Sequence, residues 1–463
     1  MLATQMLVKT QIKTKTCNAP QTHTHNTLDN FISLRLANYE NENPLYNTPM
    51  SLTDWYENWD FDAYDANIYN HGLHQYPARF IPQLARKILR IFADSNSRVL
   101  DIFSGSGTTL LECKYLNIKE AYGIELNPFA NFMADTKLKN IDVEKINKEL
   151  VTIKKNFFDE TYTYKNINFK NIDFWYTQDA KNKLSKLLAI LHDIKNSDIR
   201  NFYLLVFCEV TRKDSYLDHS GFKMYRSKRK IFDDFTPNIW NDFYSTYCRN
   251  ISFFKEHNTV SKNSQTVCHL LQGDSRKIFS EIQKESIDLI FTSPPYGDSR
   301  TTVAYGQYSR LPWQWLSASD EIISLDSQLL GGNSKNSDEK ILTLSKTLCK
   351  QAQEIRNADN SKRINDVLAF YNDLFETLKS AHYYLAHEKY FILVTGNRTV
   401  KNVCLRTDLI ISEFACSLGF STEKILSRNI LNKRMARKNS PTNKAGKTAN
   451  TMLTENIIIL KKH

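Results

Sequence analysis

The chain predicts an α/β fold, a Rossmann-like sheet with helices on both faces, interrupted by an inserted, mainly helical module. Three observations carry this. A short apolar strand at 97–102 runs through a Gly-x-Gly turn, Gly105 and Gly107, into a helix and then a second strand at 121–126. That succession is the first half of a Rossmann-like unit. The α/β rhythm resumes at 267–274 and continues through apolar strands at 287–292, 389–395 and 456–461. Between these blocks, residues 141–265 are rich in Lys, Asn, Phe and Tyr, lack a Gly-rich phosphate loop and hold one strongly apolar segment, Phe202 to Val210. Length alone, 463 residues at roughly 150 per domain, suggests about three units. The pattern instead predicts one main domain at 67–140 and 266–463, an N-terminal extension at 1–66 and the insert at 141–265.

Each element has its own signal. Residues 29–66 are aromatic and acidic, with Trp55, Tyr56, Trp59 and Phe61 closely spaced, and read as an extension packed on the main domain. In 77–93 the apolar residues Phe80, Ile81, Leu84, Ile88, Leu89 and Ile91 recur at 3–4 spacing, an amphipathic helix. Leu110 to Lys114 reads as a helix following the glycine turn. Residues 300–362 read as a long polar connection with helical periodicity near 340–356. Helices follow at 364–385 and 406–418, and the final strand is 456–461. No internal repeat is present.

Composition narrows the class. A hydrophobic fraction of 41% and a charged fraction of 24% belong to an ordinary globular chain and exclude a collagen-like or wholly disordered one. The formal net charge is +11, and it is concentrated. Residues 424–463 hold ten basic side chains and one acid, and 212–230 hold seven basic and two acidic, so the remainder is mildly acidic. Two local basic patches suggest a polyanion partner, most often nucleic acid. None of the eight cysteines forms a Cys-x-x-Cys pair, which argues against a zinc ribbon or a disulfide framework and fits a reducing cytoplasm. No metal site is expected. No apolar run reaches the length needed to span a bilayer, and the N-terminus lacks the apolar core of a secretory signal.

The chemistry-bearing residues stand at strand ends. Asp101 closes the first strand, and Gly105 and Gly107 let the backbone pass close to a ligand at a helix N-terminus. Position 110 is Leu where a dinucleotide fingerprint has its third glycine, and Gly107 is followed by Thr108-Thr109, not by the Lys of a phosphate loop. Glu125 ends the second strand, placed to accept hydrogen bonds from ribose hydroxyls. Ser293-Pro294-Pro295-Tyr296 follows the strand at 287–292. Two successive prolines fix φ and remove two N–H donors, leaving their carbonyls free to accept. The tyrosine beside them offers a flat stacking face. A rigid acceptor-rich loop next to an aromatic plane suits a planar group that carries an exocyclic amine.

At this point the chain resembles the S-adenosylmethionine-dependent amino-group DNA methyltransferases, the N4-cytosine and N6-adenine family. Asp101-Ile102-Phe103-Ser104-Gly105-Ser106-Gly107-Thr108-Thr109 resembles its cofactor loop, Thr292-Ser293-Pro294-Pro295-Tyr296 its catalytic motif, and His74 to Pro82 the cofactor-contacting segment that often precedes the loop. These features recur in order over about two-thirds of the chain. The resemblance implies a Rossmann-like methyltransferase sheet and S-adenosylmethionine as cofactor. Asp101, Phe103, Gly105, Gly107 and Thr108 would surround the methionine part of the cofactor, Glu125 would hold the ribose, and Asp274 the adenine amine. Ser293 and the Pro294 carbonyl would accept hydrogens from the target amine, Pro295 would stiffen the loop, and Tyr296 would stack on a base flipped out of double-stranded DNA.

Ser293 tilts the expectation to cytosine N4, because the family's adenine enzymes more often carry Asp or Asn there. The absence of a Pro-Cys pair disfavours C5 chemistry. The alternatives kept open are adenine N6, an RNA amine, and a nucleic-acid-binding protein with a decayed cofactor site. The order of features places the largest insert before Asp274, where the family more often has its target-recognition region after that position or after the catalytic domain. The insert is expected to read the target. Residues 301–310, with Tyr305, Tyr308 and Arg310, are expected to line the base pocket or to pack on the sheet, and Arg428 to Lys447 to grip phosphates. The family also implies restriction–modification, with any cognate restriction endonuclease a separate chain.

Overall fold

The structure is a computed structural model that describes residues 28–32, 34–35, 59–61, 65–79, 81–219, 221–233, 235–298, 301–358, 363–430, 438–439, 449–450 and 453–463. Seven strands among these form one sheet: β1 (Arg98–Asp101), β2 (Glu120–Glu125), β3 (Val267–Gln272), β4 (Ile287–Thr292), β5 (Leu385–Thr395), β6 (Phe420–Asn429) and β7 (Thr454–Lys462). Their spatial order is β3-β2-β1-β4-β5-β7-β6. The first five run parallel, while β7 enters antiparallel between β5 and β6. The order reverses between β1 and β4, so the carboxyl ends of these two strands flank the crevice where open α/β sheets bind ligands.

The longer helices are α1 (Pro82–Phe92), α2 (Thr108–Tyr115), α3 (Pro128–Leu138), α4 (Val143–Phe158), α5 (Gln178–His192), α6 (Ser197–Lys213), α7 (Ile239–Ser261), α8 (Tyr305–Ser317), α9 (Lys346–Ala358), α10 (Arg363–Tyr384) and α11 (Thr407–Ser417). Strand periodicity of two decides which layer each side chain joins. Val99, Leu289, Ile392 and Ile457 face α1 and α2, burying Leu84, Ile88 and Leu111. Their neighbours Leu100, Ile290, Phe391 and Ile458 face α10 and α11, burying Leu374, Leu378, Ile411 and Phe414. Helices therefore cover both faces.

Residues 143–261 add no strand to the sheet. Side-chain caps start their helices, with Asp142 accepting from Glu144 N, Thr177 from Ala180 N and Asn196 from Ile199 N. The apolar run Phe202–Val210 lies in α6, and Phe202, Tyr203, Leu205, Val206 and Phe207 are fully buried. This ring-rich core is continuous with Phe129 and Met133 of α3 and with Leu311 and Trp315 of α8. The insert thus packs on the main domain through one shared core.

Three elements differ from expectation. The helix expected over 77–93 begins at Pro82, because Ile81 is extended before the proline (ψ 142°) and Ala78 has φ +53°. Residues 305–317, read as polar connection, form α8. Gly306 and Pro312 disguised it, while Asp326 caps it by accepting from Gly306 N and Gln307 N at 2.8 and 3.1 Å. Strand β6 was not foreseen, because its polar sequence is that of a sheet edge.

Candidate active site

The cofactor loop leaves β1 at Asp101. Its carboxylate is 1% exposed and accepts from Thr109 Oγ1 (2.6 Å), Thr292 Oγ1 (2.6 Å) and Phe103 N (3.1 Å). Burial pushes its pKa up to about 6 against those three hydrogen bonds. Asp101 therefore ties both ends of the loop to the last residue of β4. It stands behind the loop, next to the lining residues Ile102 and Phe103.

Gly105 and Gly107 have φ +50° and +84°, a region that disfavours any residue with a Cβ. At Gly107 a Cβ would also lie 2.9 Å from Ala134 Cβ of α3. This glycine is required by helix packing, and it too stands outside the cleft lining.

Glu125 closes β2. Its two oxygens accept from Gly105 N (2.8 Å) and Asn127 N (2.7 Å), which fixes the loop to the strand end. Burial raises its pKa to about 7 in spite of these donors. Asp274 is gripped by Arg276, whose Nε and Nη2 lie 2.9 and 2.7 Å from its oxygens. Burial works to raise the Asp274 pKa, but the Arg276 hydrogen bonds win and hold it below the usual range. Arg276 also pairs with Asp373 at 2.7 Å and donates to Gln328 O at 2.9 Å.

These parts meet in one cleft of about 830 Å³, part of it open to solvent. Phe103, Gly105, Thr108, Glu125, Asp274, Ser293 and Pro295 line it, together with Tyr76, Arg79 and Tyr305. Arg276 and Gln328–Leu330 complete the wall. No sequence motif marks these last residues; the Gly331-Gly332 pair beside them was the only local signal, and Gly331 does turn at φ +65°. The cleft suits a ligand with both polar and apolar parts. Ser104 and Ser106 line it with buried hydroxyls that have no hydrogen-bond partner among the described residues.

Pro294 and Tyr296 lie beside the cleft, not in its lining. The Tyr296 hydroxyl donates to Glu455 Oε1 at 2.8 Å, and Glu455 pairs with Arg428 at 2.7 Å. Arg428 in turn donates to Trp59 O (2.9 Å) and Asp60 O (3.1 Å). Burial, reinforced by the Glu455 carboxylate, raises the Tyr296 pKa well above its ordinary value. The next residues are clamped as well. Asp298 is fully buried between Arg363 (2.7 Å) and Arg398 (2.9 Å), and a Cβ at Gly297 would lie 1.8 Å from Arg398 Nη1.

Of the 301–310 segment, Tyr305 lines the cleft. Tyr308 turns inward, its hydroxyl donating to Gln75 O at 2.8 Å, and Arg310 is not a lining residue. The basic patches are partly spent inside the protein. Arg212 lies over the Tyr308 ring at 3.9 Å and donates to Tyr308 O at 2.7 Å. Lys462 is buried and donates to His382 O and Leu385 O. Of Arg428 to Lys447, residues 431–437 and 440–447 lie outside the described residues.

A sheet of this order, with a glycine loop at the end of β1, a carboxylate at the end of β2 and Ser-Pro-Pro-Tyr at the end of β4, is that of a Rossmann-like methyltransferase. The N6/N4 DNA methylase family model matches residues 7–134. The chain is 32% identical over 415 residues to the Type II methyltransferase M.MvaI of Kocuria varians, covering 85% of this chain and 91% of that one. It is 28% identical over 178 residues to the Type II methyltransferase M.MjaII of Methanocaldococcus jannaschii, 36% of this chain and 33% of that one. The chain belongs to the amino-group DNA methyltransferases of restriction–modification type, and its methyl donor is S-adenosylmethionine. Among solved structures it is similar to TrmN from Thermus thermophilus (11% identity, TM-score 0.29, 83% of this chain and 49% of that one). It is also similar to the rRNA methyltransferase aviRa from Streptomyces viridochromogenes (10%, TM-score 0.30, 89% and 94%). Among the described residues, no helix is long and apolar enough to cross a membrane.

Proposed function

We propose that the enzyme methylates the N4 amine of cytosine in double-stranded DNA, on a base extruded into the mouth of the cleft beside Tyr296. The observation that carries this is Ser293, which lines the cofactor cleft at the end of β4, where the adenine enzymes that the chain resembles more often carry Asp or Asn. Glu125 would hold the cofactor's ribose hydroxyls and Asp274 its adenine amine, with Phe103, Gly105 and Thr108 along the methionine arm. Asp101 and Gly107 would shape the loop from behind. When bound, S-adenosylmethionine supplies an electrophilic methyl group.

The chain's own work is to make the amine nucleophilic. An exocyclic amine is a poor nucleophile because its lone pair is delocalised into the ring. Hydrogen bonds accepted by Ser293 Oγ and the Pro294 carbonyl would draw the nitrogen toward tetrahedral geometry and turn the lone pair toward the cofactor. Pro295 keeps the loop rigid, and Tyr296 would stack on the base. No covalent enzyme intermediate is needed, so catalysis is positioning plus charge stabilisation. The helices of 141–265 would read the target, and a cognate nuclease would be a separate chain.

The test is to incubate the enzyme with labelled S-adenosylmethionine and DNA, digest to nucleosides and separate them. Labelled 4-methylcytosine is the expected product. Labelled 6-methyladenine alone would overturn the choice of base. Pro295→Ala should abolish transfer while cofactor binding survives.

A further inference from the structure

We propose that residues 216–232 form the element that holds duplex DNA beside the extruded base. This rests on the DNA reading above and narrows it to one surface. The segment is a hairpin followed by one turn of helix. Leu217 and Arg226 pair antiparallel, Asp218 N donates to Tyr225 O and Ser227 N to Tyr216 O, each at 2.8 Å. Ser227 then caps the helix Lys228–Phe232.

The hairpin packs on α8. Met224 N donates to Gln307 Oε1 at 3.0 Å, and the Phe222 ring lies 6.3 Å from that of Tyr308. Both partners belong to α8, whose first residue, Tyr305, lines the cleft.

What the hairpin shows to solvent is unusual in kind. Tyr225 is 64% exposed, Phe232 81%, Ile231 41% and Phe222 37%. Large exposed apolar groups in one patch mark an interaction surface. Here they are interleaved with charge: the seventeen residues hold Lys223, Arg226, Lys228, Arg229 and Lys230 against the single acid Asp218, although Lys230 turns inward to donate to Lys213 O and Ser215 O and Arg226 lies over the Phe174 and Tyr216 rings. A protein partner would be met by a surface depleted of lysine. Aromatic faces among lysines and arginines instead match a nucleic acid, whose bases and sugars take the rings and whose phosphates take the cations. Lys228 and Arg229 are exposed; the Arg229 side chain is 89% exposed and pairs with exposed Asp233, a weak contact that phosphate would displace. Duplex DNA held here would have its extruded nucleotide at the cleft along α8.

The experiment compares the full-length enzyme with Lys228→Ala/Arg229→Ala and with Tyr225→Ala/Phe232→Ala, using plasmid DNA as substrate and a fluorescein-labelled duplex for binding. Both double variants should bind S-adenosylmethionine with unchanged affinity by calorimetry, which shows that they are folded. Each should raise the KM for DNA about tenfold, and the charge variant should lower the slope of log affinity against log salt by about 2. Wild-type KM and salt slope in both variants, with the wild-type enzyme active on DNA, would overturn the assignment of this surface alone. A wild-type enzyme that methylates no DNA would overturn the DNA reading itself.

Discussion

Around the sheet the buried side chains are mainly Leu, Ile and Val, and two carboxylates, buried Asp101 and half-buried Glu125, stand at the strand ends. In the helical half the core is also built on Leu, Ile and Val, but about a third of its buried apolar side chains are rings. Phe202 meets Phe254 at 5.2 Å and 90°, Phe169 and Phe207 meet the edge of Trp315, and Tyr203 stacks on Phe243. Buried tyrosines there end in satisfied hydroxyls, Tyr176 on Thr211 O and Tyr203 on Ile146 O. The difference teaches how the work is divided. An aliphatic core interlocked on a pleated sheet fixes strand ends, and with them the cofactor loop. A core richer in rings joins the helices to α8, whose first residue, Tyr305, lines the cleft.

The comparison is broken most strongly at Tyr296. Tyr296→Ala should lower methyl transfer by at least a thousandfold, about 4 kcal/mol of barrier, with cofactor affinity by calorimetry unchanged. Normal turnover would show that the cleft alone suffices for catalysis. Trp315→Ala removes the fully buried plate where α8 meets the helical half. It should cost about 4 kcal/mol in denaturant unfolding; a loss under about 1 kcal/mol would show that this core is not shared. Asp101→Ala leaves Thr109, Thr292 and Phe103 N without their acceptor. It should cost about 2–3 kcal/mol and abolish S-adenosylmethionine binding, whereas wild-type affinity would show that the loop holds without its tie.

The smallest effect is a pH dependence. With a Glu125 pKa of about 7, the carboxylate is about one-tenth ionised at pH 6 and nine-tenths at pH 8. Ribose hydroxyls donate to the ionised form, so affinity should rise about tenfold between those values; a flat profile would remove Glu125 from the ribose site. Stability of the free protein runs the other way. A carboxylate raised above its unfolded value of 4.5 contributes stability that is present below about pH 4.5 and lost as pH rises through about 7.

Much of the sheet was legible, because central strands buried on both faces read as short apolar runs. That holds at 287–292, 389–395 and 456–461. Edge strand β6, half exposed and polar, gives no such run. Helix α8 was hidden for another reason: Pro312 and Gly306 break the local pattern, while Trp315 and Asp326 secure it from elsewhere in the fold. The site divides likewise. Contiguous motifs put Phe103, Gly105, Glu125 and Ser293 in view. Arg276 and Glu455 act through partners as far as 159 residues away, and no local pattern announces that.

The tether on Tyr296 bears on how the enzyme comes into being. Glu455 lies on β7, the last strand of the sheet in chain order, yet β7 occupies an interior position between β5 and β6. A ribosome delivers the cofactor loop and Ser-Pro-Pro-Tyr long before that strand emerges. Until β7 slots into the gap, β5 and β6 have no common partner and the tyrosine hydroxyl lacks the Glu455 carboxylate. The carboxylate that anchors the catalytic tyrosine is therefore the last part of the site to be made.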